Sequence, residues 1–197
     1  MLKVILIRHG KTIGNTQGRY IGCKTDESLC NIGREEIQMR EYPQVEYLYA
    51  SPMKRCLETA ELIYPNIRIS TNELLKECDF GIFENKNYQE LSCVKAYQEW
   101  IDSNGLLPFP EGESAEQFRK RCAGGFESCI QDAFFYERKQ VGMVVHGGTI
   151  MSILSYFARP AGEYFKWQIG NGEYYVLHIE EEIWKQQKYI NLVQKGQ

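Results

Sequence analysis

Short apolar runs alternate along the chain with segments of helical period, the pattern of an α/β domain. Leu2–Ile7 (LKVILI) is almost wholly apolar, as expected of a strand covered on both faces. Val141–Val145 (VGMVV) has the same character, and Glu46–Ala50 and Ile67–Ser70 are weaker strands. Tyr174–Ile179 and Ile183–Val193 read as a late hairpin turning near Glu180–Glu182.

Between these runs lie the helices. Ser51-Pro52 predicts a helix start, with Ser as the cap and Pro at the first helical position, running to about Tyr64. A longer helix is expected over Ser114 to Glu137, where Phe118, Cys122, Phe126, Ile130 and Ala133-Phe134 recur at spacings of three and four. Gly124-Gly125 inside it predicts a kink, since each Gly costs about 1 kcal/mol relative to Ala. Asn87–Ile101 and Thr149–Phe157 are further helices, and Ile101–Glu113 reads as a loop. No repeat or Pro/Gly/Ser-rich linker divides the chain, so one domain over residues 1–197 is expected, with a small helical and loop lid around 76–113.

Composition narrows the class. The 197 residues are 43% hydrophobic and 25% charged, enough to bury a core without disulfides or a structural metal. With 23 Lys and Arg against 26 Asp and Glu, the net charge of −3 argues against a nucleic-acid partner. The N-terminal apolar run, Val4 to Ile7, is too short for a signal peptide core or a membrane span. Seven cysteines, an odd number without C-x-x-C spacing, fit reduced thiols in a cytoplasm better than a disulfide framework or a zinc site. Nothing in the pattern marks an oligomeric state.

The chemistry gathers around histidines. Ile5-Leu6-Ile7-Arg8-His9-Gly10 and Met143-Val144-Val145-His146-Gly147-Gly148 both read as buried strand, then His, then Gly. In an open parallel sheet the ligand crevice lies at the carboxyl ends of the strands, so two imidazoles delivered there can meet. Arg8 adjoins His9, and Arg55 falls in the first turns of the helix opened at Ser51-Pro52. Guanidiniums and a helix N-terminus both favour an anion, and phosphate in particular. His178, without a Gly or a charged neighbour in its motif, reads as structural or surface, and Lys11 and Arg19 as solvated bases. No D-x-H, H-x-H or H-E-x-x-H spacing supports a metal-dependent hydrolase.

Arg8-His9-Gly10-Lys11-Thr12 resembles the R-H-G-[E/Q/K]-T signature of the histidine phosphatase superfamily, the phosphoglycerate-mutase-like enzymes. Asn15 stands where that family places an Asn, and Arg19, Gly22, Asp26, Leu29 and Gly33 follow its R-x-x-G-x-x-D-x-x-L-x-x-x-G pattern. Ala50-Ser51-Pro52 with Arg55, Thr59 and Ala60 resembles its S-S-P-x-x-R-x-x-x-T-A block, Glu77–Glu84 its E-x-x-F-G-x-W-E, Pro110–Ser114 its P-x-G-E-S, and His146-Gly147-Gly148 its second-histidine block. Asn171-Gly172 matches a late Asn-rich turn. In two places the chain departs or adds a feature: Phe83-Glu84-Asn85 replaces W-E-G, and Cys56 and Cys78 sit beside pocket motifs, where oxidation would matter.

The resemblance implies a three-layer α/β/α sandwich and a cofactor-free, metal-independent phosphatase acting on a small phosphate ester. In that reading His9 is the nucleophile, Glu77 the acid, and Arg8, Arg55, His146, Asn15 and Gly147 hold the phosphate. α-Ribazole 5′-phosphate and sugar phosphates are candidate substrates. A cofactor-dependent phosphoglycerate mutase and a non-catalytic phospho-ligand-binding module are the alternatives. A mutase must shield its phosphohistidine from water, and the 68 residues between Glu77 and His146 make a compact lid that favours hydrolysis.

Overall fold

The computed structural model describes residues 1–103, 105 and 107–196. Its strands and helices, in chain order, are β1 (Leu2–Arg8), α1 (Ile13–Thr16), α2 (Asn31–Gln38), β2 (Tyr47–Ala50), α3 (Lys54–Ile63), β3 (Ile69–Thr71), α4 (Tyr88–Leu91), α5 (Lys95–Asp102), α6 (Ala115–Phe135), β4 (Gln140–Val145), α7 (Gly147–Phe157), β5 (Tyr174–Ile179), α8 (Glu181–Gln187) and β6 (Leu192–Lys195). The strands form one sheet in the order β3-β2-β4-β1-β5-β6. β1, β4, β2 and β3 pair in parallel, whereas β5 and β6 join antiparallel.

The sheet is covered on both faces. Along β1, Leu2, Val4 and Leu6 pack into the core shared with α6 and α7, while Ile5 and Ile7 point to the opposite core, shared with α3. This period-2 division of a nearly continuous apolar run makes the three-layer α/β/α sandwich.

Five expectations change. The hairpin expected after Ile179 is instead a helix, α8, followed by β6. Trp184, 1% exposed, anchors that helix in the core, and Glu181 pairs with Lys185 one turn on. Helix α3 begins at Lys54, not at Ser51-Pro52, and its first free N–H, from Lys54, is taken by Asp26 Oδ1 at 2.8 Å. The helix expected over 87–101 divides into α4 and α5, because Val94 takes extended geometry between them. Helix α6 runs through Gly124-Gly125 without interruption. Of the loop expected over 101–113, Asn104 and Leu106 lie outside the described residues, and Ile101 and Asp102 belong to α5.

Within residues 76–113 an aromatic cluster forms with Tyr20 and packs against the main core through Phe80 and Phe109. Tyr20, Phe80, Phe83, Tyr97, Trp100 and Phe109 pack edge-to-face and stacked on one another, with ring centroids 5.0–6.5 Å apart. Phe83-Glu84-Asn85 still turns as a glycine would: Asn85 sits at φ +55°, a left-handed conformation that Asn tolerates better than other side chains.

Candidate active site

Strand register assembles the site. β1 and β4 are adjacent and parallel, with Arg8 opposite Val145, so the residues that follow, His9 and His146, leave the same sheet edge together. β2 lies on the other side of β4 and ends at Ala50, which brings Ser51 and, in the first turn of α3, Arg55 to that edge. The two imidazoles, 137 positions apart in sequence, meet edge-to-face with centroids 5.1 Å apart.

His9 is 4% exposed, and its Nδ1–H donates to the carbonyl of Gly10 at 2.6 Å. That bond fixes the tautomer and leaves the Nε2 lone pair unprotonated. Burial, then the charges of Arg55 and Arg8, push its pKa well below the usual histidine range. His146 is fully buried; Arg55 Nε–H donates to its Nδ1 at 3.2 Å, so its Nε2–H is the one that meets Ser51 Oγ at 2.8 Å. Burial and the same arginines hold it neutral as well.

The arginines are fixed by backbone carbonyls. Arg55, fully buried, donates to the carbonyls of Thr25 at 2.8 Å and Gly22 at 3.0 Å. Arg8 donates one terminal nitrogen to Ile169 O at 2.6 Å, while its Nε is buried and has no protein partner. A Cβ on Gly147 would lie 3.2 Å from that Nε, so the glycine keeps the donor uncrowded at the N-terminus of α7. A buried cationic donor with nothing to bind is costly unless an anion completes it. Asn15 spends its amide oxygen on the Thr12 capping box and on Asn171 Nδ2, which leaves its amide nitrogen as the donor end. The Asn171-Gly172 turn, with Gly172 at φ +74°, also donates to the carbonyls of Arg8 and His9.

Glu77 is 8% exposed and accepts backbone N–H bonds from Cys78 at 3.0 Å and Gly148 at 3.1 Å. Burial raises its pKa and outweighs the two hydrogen bonds and the arginines, which pull it down. The other carboxylates of this segment are committed elsewhere. Asp79 pairs with Lys24 and caps Gly81 N, and Glu84 accepts from Gly22 N, Lys24 N and Thr25 Oγ. Glu84 thereby holds the loop whose carbonyls grip Arg55. Together with Cys23, these two carboxylates are close enough to share a cation, but Lys24 and the backbone donors already neutralise them.

His9, His146, Arg8, Arg55, Glu77, Asn15 and Gly147 thus converge around one sheet edge. Lys11 and Arg19 do not join them: they pair with Glu36 and Glu90. Cys56 is buried with its thiol pushed up to about 12, and burial raises Cys78 too, so neither is a reactive thiolate at neutral pH. Ser51, read from sequence as a helix cap, is instead the partner of His146. Only its place at the end of a strand beside β4 could have signalled that role.

The profile of the histidine phosphatase superfamily (branch 1) matches residues 4–192, and the chain belongs to that family. It is a histidine-type phosphatase. The chain is 30% identical over 195 residues to the uncharacterized phosphatase PhoE of Bacillus subtilis, covering 96% of this chain and 94% of that protein. In fold it resembles the α-ribazole phosphatase of Shigella flexneri (TM-score 0.77, 20% identity, 97% and 94% of the two chains). It also resembles a phosphoglycerate mutase of Thermus thermophilus (TM-score 0.71, 20% identity, 100% of both chains).

Proposed function

We propose that this protein hydrolyses a small phosphate monoester through a phosphohistidine on His9. The observation that carries the reading is His9 itself: a buried, neutral imidazole, its Nδ1–H tied to Gly10 O, facing His146 across 5.1 Å. Nε2 attacks phosphorus, the P–O ester bond breaks, and Glu77 gives its proton to the leaving oxygen. Arg8 and Arg55, with Asn15 and the N–H of Gly147, hold the non-bridging oxygens as charge redistributes, and His146 joins them when its Nε2–H passes from Ser51 Oγ to a phosphate oxygen. Water then attacks phosphorus, Glu77 takes back a proton, and phosphate leaves with His9 restored. The site needs no metal because two guanidiniums supply the positive charge, and no cofactor enters the cycle. Candidate esters are α-ribazole 5′-phosphate and sugar phosphates, in a cytoplasmic setting that suits seven free thiols.

The test is a quench with labelled substrate in the absence of any phosphoryl acceptor. One acid-labile, base-stable phosphate per chain should be trapped on His9 and then pass to water, and His9→Ala should trap none. Label on His146, or a phosphoenzyme stable until a phosphoglycerate is added, would overturn the assignment and point to a mutase.

A further inference from the structure

Beyond the residues that touch the phosphate, the structure points to a device that holds the acid, and it rests on reading Glu77 as that acid. We propose that Arg121, locked by Glu113, is a positioning residue for Glu77. The Arg121 guanidinium has five N–H donors, and all five are used. Nε and one Nη2 hydrogen take the Glu113 carboxylate at 2.9 and 2.7 Å. Nη1 takes the carbonyls of Leu74 at 2.9 Å and Lys76 at 3.0 Å, and Nη2 takes that of Glu77 itself at 3.2 Å.

Glu113 closes the clamp from the other side. Its Oε2 also accepts from Asp79 N at 3.0 Å, and its own N–H donates to Asp79 O at 2.9 Å. Residues 74–79 are therefore gripped at four places by one ion pair, with Glu77 in the middle. The same helix gives the segment its seat: a Cβ on Gly125, four residues after Arg121, would lie 2.9 Å from Leu74 Cβ. A lysine, with a single nitrogen and three donors, cannot span this set of acceptors.

The clamp fixes the carboxyl group relative to Gly148 N and the leaving-group oxygen. A misplacement of about 1 Å costs on the order of 100-fold in the affected step. Arg121→Lys and Arg121→Met are therefore expected to slow phosphorylation by an alkyl phosphate about 10- to 100-fold. With p-nitrophenyl phosphate, whose phenolate leaves without a proton, phosphorylation should change little. The alkaline limb of the alkyl phosphate profile should move to lower pH, because a loosened, better solvated Glu77 loses its proton sooner.

Glu77→Gln and the double variants complete the test. If Glu77→Gln alone shows no leaving-group selectivity, the acid assignment fails. If it does, and Arg121→Lys in that background costs nothing further, the clamp acts through Glu77. Equal losses on both substrates in the Arg121 variants, or losses that add to those of Glu77→Gln, would make Arg121 a structural residue only and overturn the proposal. Vanadate affinity and folding cooperativity, measured on the same variants, should stay near wild type. A variant that fails to bind vanadate has lost the phosphate pocket as a whole and counts against the proposal.

Discussion

Glu77 is held between opposing influences. Burial keeps the proton on, whereas two backbone N–H bonds and two arginines draw it off, and burial prevails. An alkoxide is a poor leaving group near neutrality, so in the proposed mechanism this balance decides how much acid is present to assist it. Phosphorylation by an alkyl phosphate should fall as pH rises through the elevated Glu77 pKa. Glu77→Gln should remove that limb and lower the step by about 100- to 1,000-fold. The same substitution should leave the burst with p-nitrophenyl phosphate nearly intact, although turnover slows because the base for water is gone. Rapid-quench rates with both esters across pH 5–9 measure this; a selective loss in Asp79→Asn or Glu84→Gln instead would move the acid. Both carboxylates lie in the same Glu77–Glu84 stretch. What excludes them is their partners, Lys24, Gly81 N and the loop at Gly22–Thr25, which no spacing reveals.

At the level of elements, the chain misleads where a residue type has two uses. Ser51-Pro52 has the composition of a helix start, yet the structure needs the serine hydroxyl for His146 and caps α3 from Asp26 instead. Ile183 to Val193 holds enough apolar residues to read as a strand, but Trp184 reaches the core from a helix, α8. The two adjacent glycines of α6 show the same ambiguity and offer a direct test. Gly124 is exposed, and a methyl group placed there would meet nothing within 4 Å, so Gly124→Ala should stabilise the protein by about 0.5–1 kcal/mol. Gly125→Ala meets Leu74 Cβ at 2.9 Å and Leu75 Cδ2 at 3.0 Å, and overpacking of about 1–3 kcal/mol should cancel or exceed that gain. Denaturant unfolding of the two variants measures the difference. Equal stabilisation by both would show that α6 and the acid segment are not in close contact.

The whole molecule is a sheet that carries two imidazoles to one buried point, and this much is legible in the sequence because each histidine ends an apolar run and precedes a glycine. The clamp at Arg121 is not, since its acceptors lie from 8 to 47 positions away. Pairing the imidazoles in a buried site beside two arginines also makes global stability depend on pH. Burial and the neighbouring charges hold His9 and His146 well below the ordinary histidine value, whereas in the unfolded chain both titrate near about 6.5. Below that pH the unfolded chain binds two protons that the native state refuses. Stability is therefore full above about pH 6.5 and falls on acidification by up to about 2.7 kcal/mol per pH unit. Glu77 works in the opposite sense. Its raised native pKa means that, above the usual carboxylate value, the folded protein keeps a proton the unfolded chain has released, which offsets one of the two. Between the ordinary carboxylate value and the raised Glu77 pKa, the slope is reduced toward one proton, or about 1.4 kcal/mol per pH unit. Urea unfolding from pH 7.5 down to 5 should show this decline, His9→Asn or His146→Asn should flatten it, and Glu77→Gln should steepen it. A wild-type stability that stays level from pH 7.5 to 5 would mean that the imidazoles take up protons in the folded state, and His9 would then lack the free Nε2 lone pair on which the proposed attack depends.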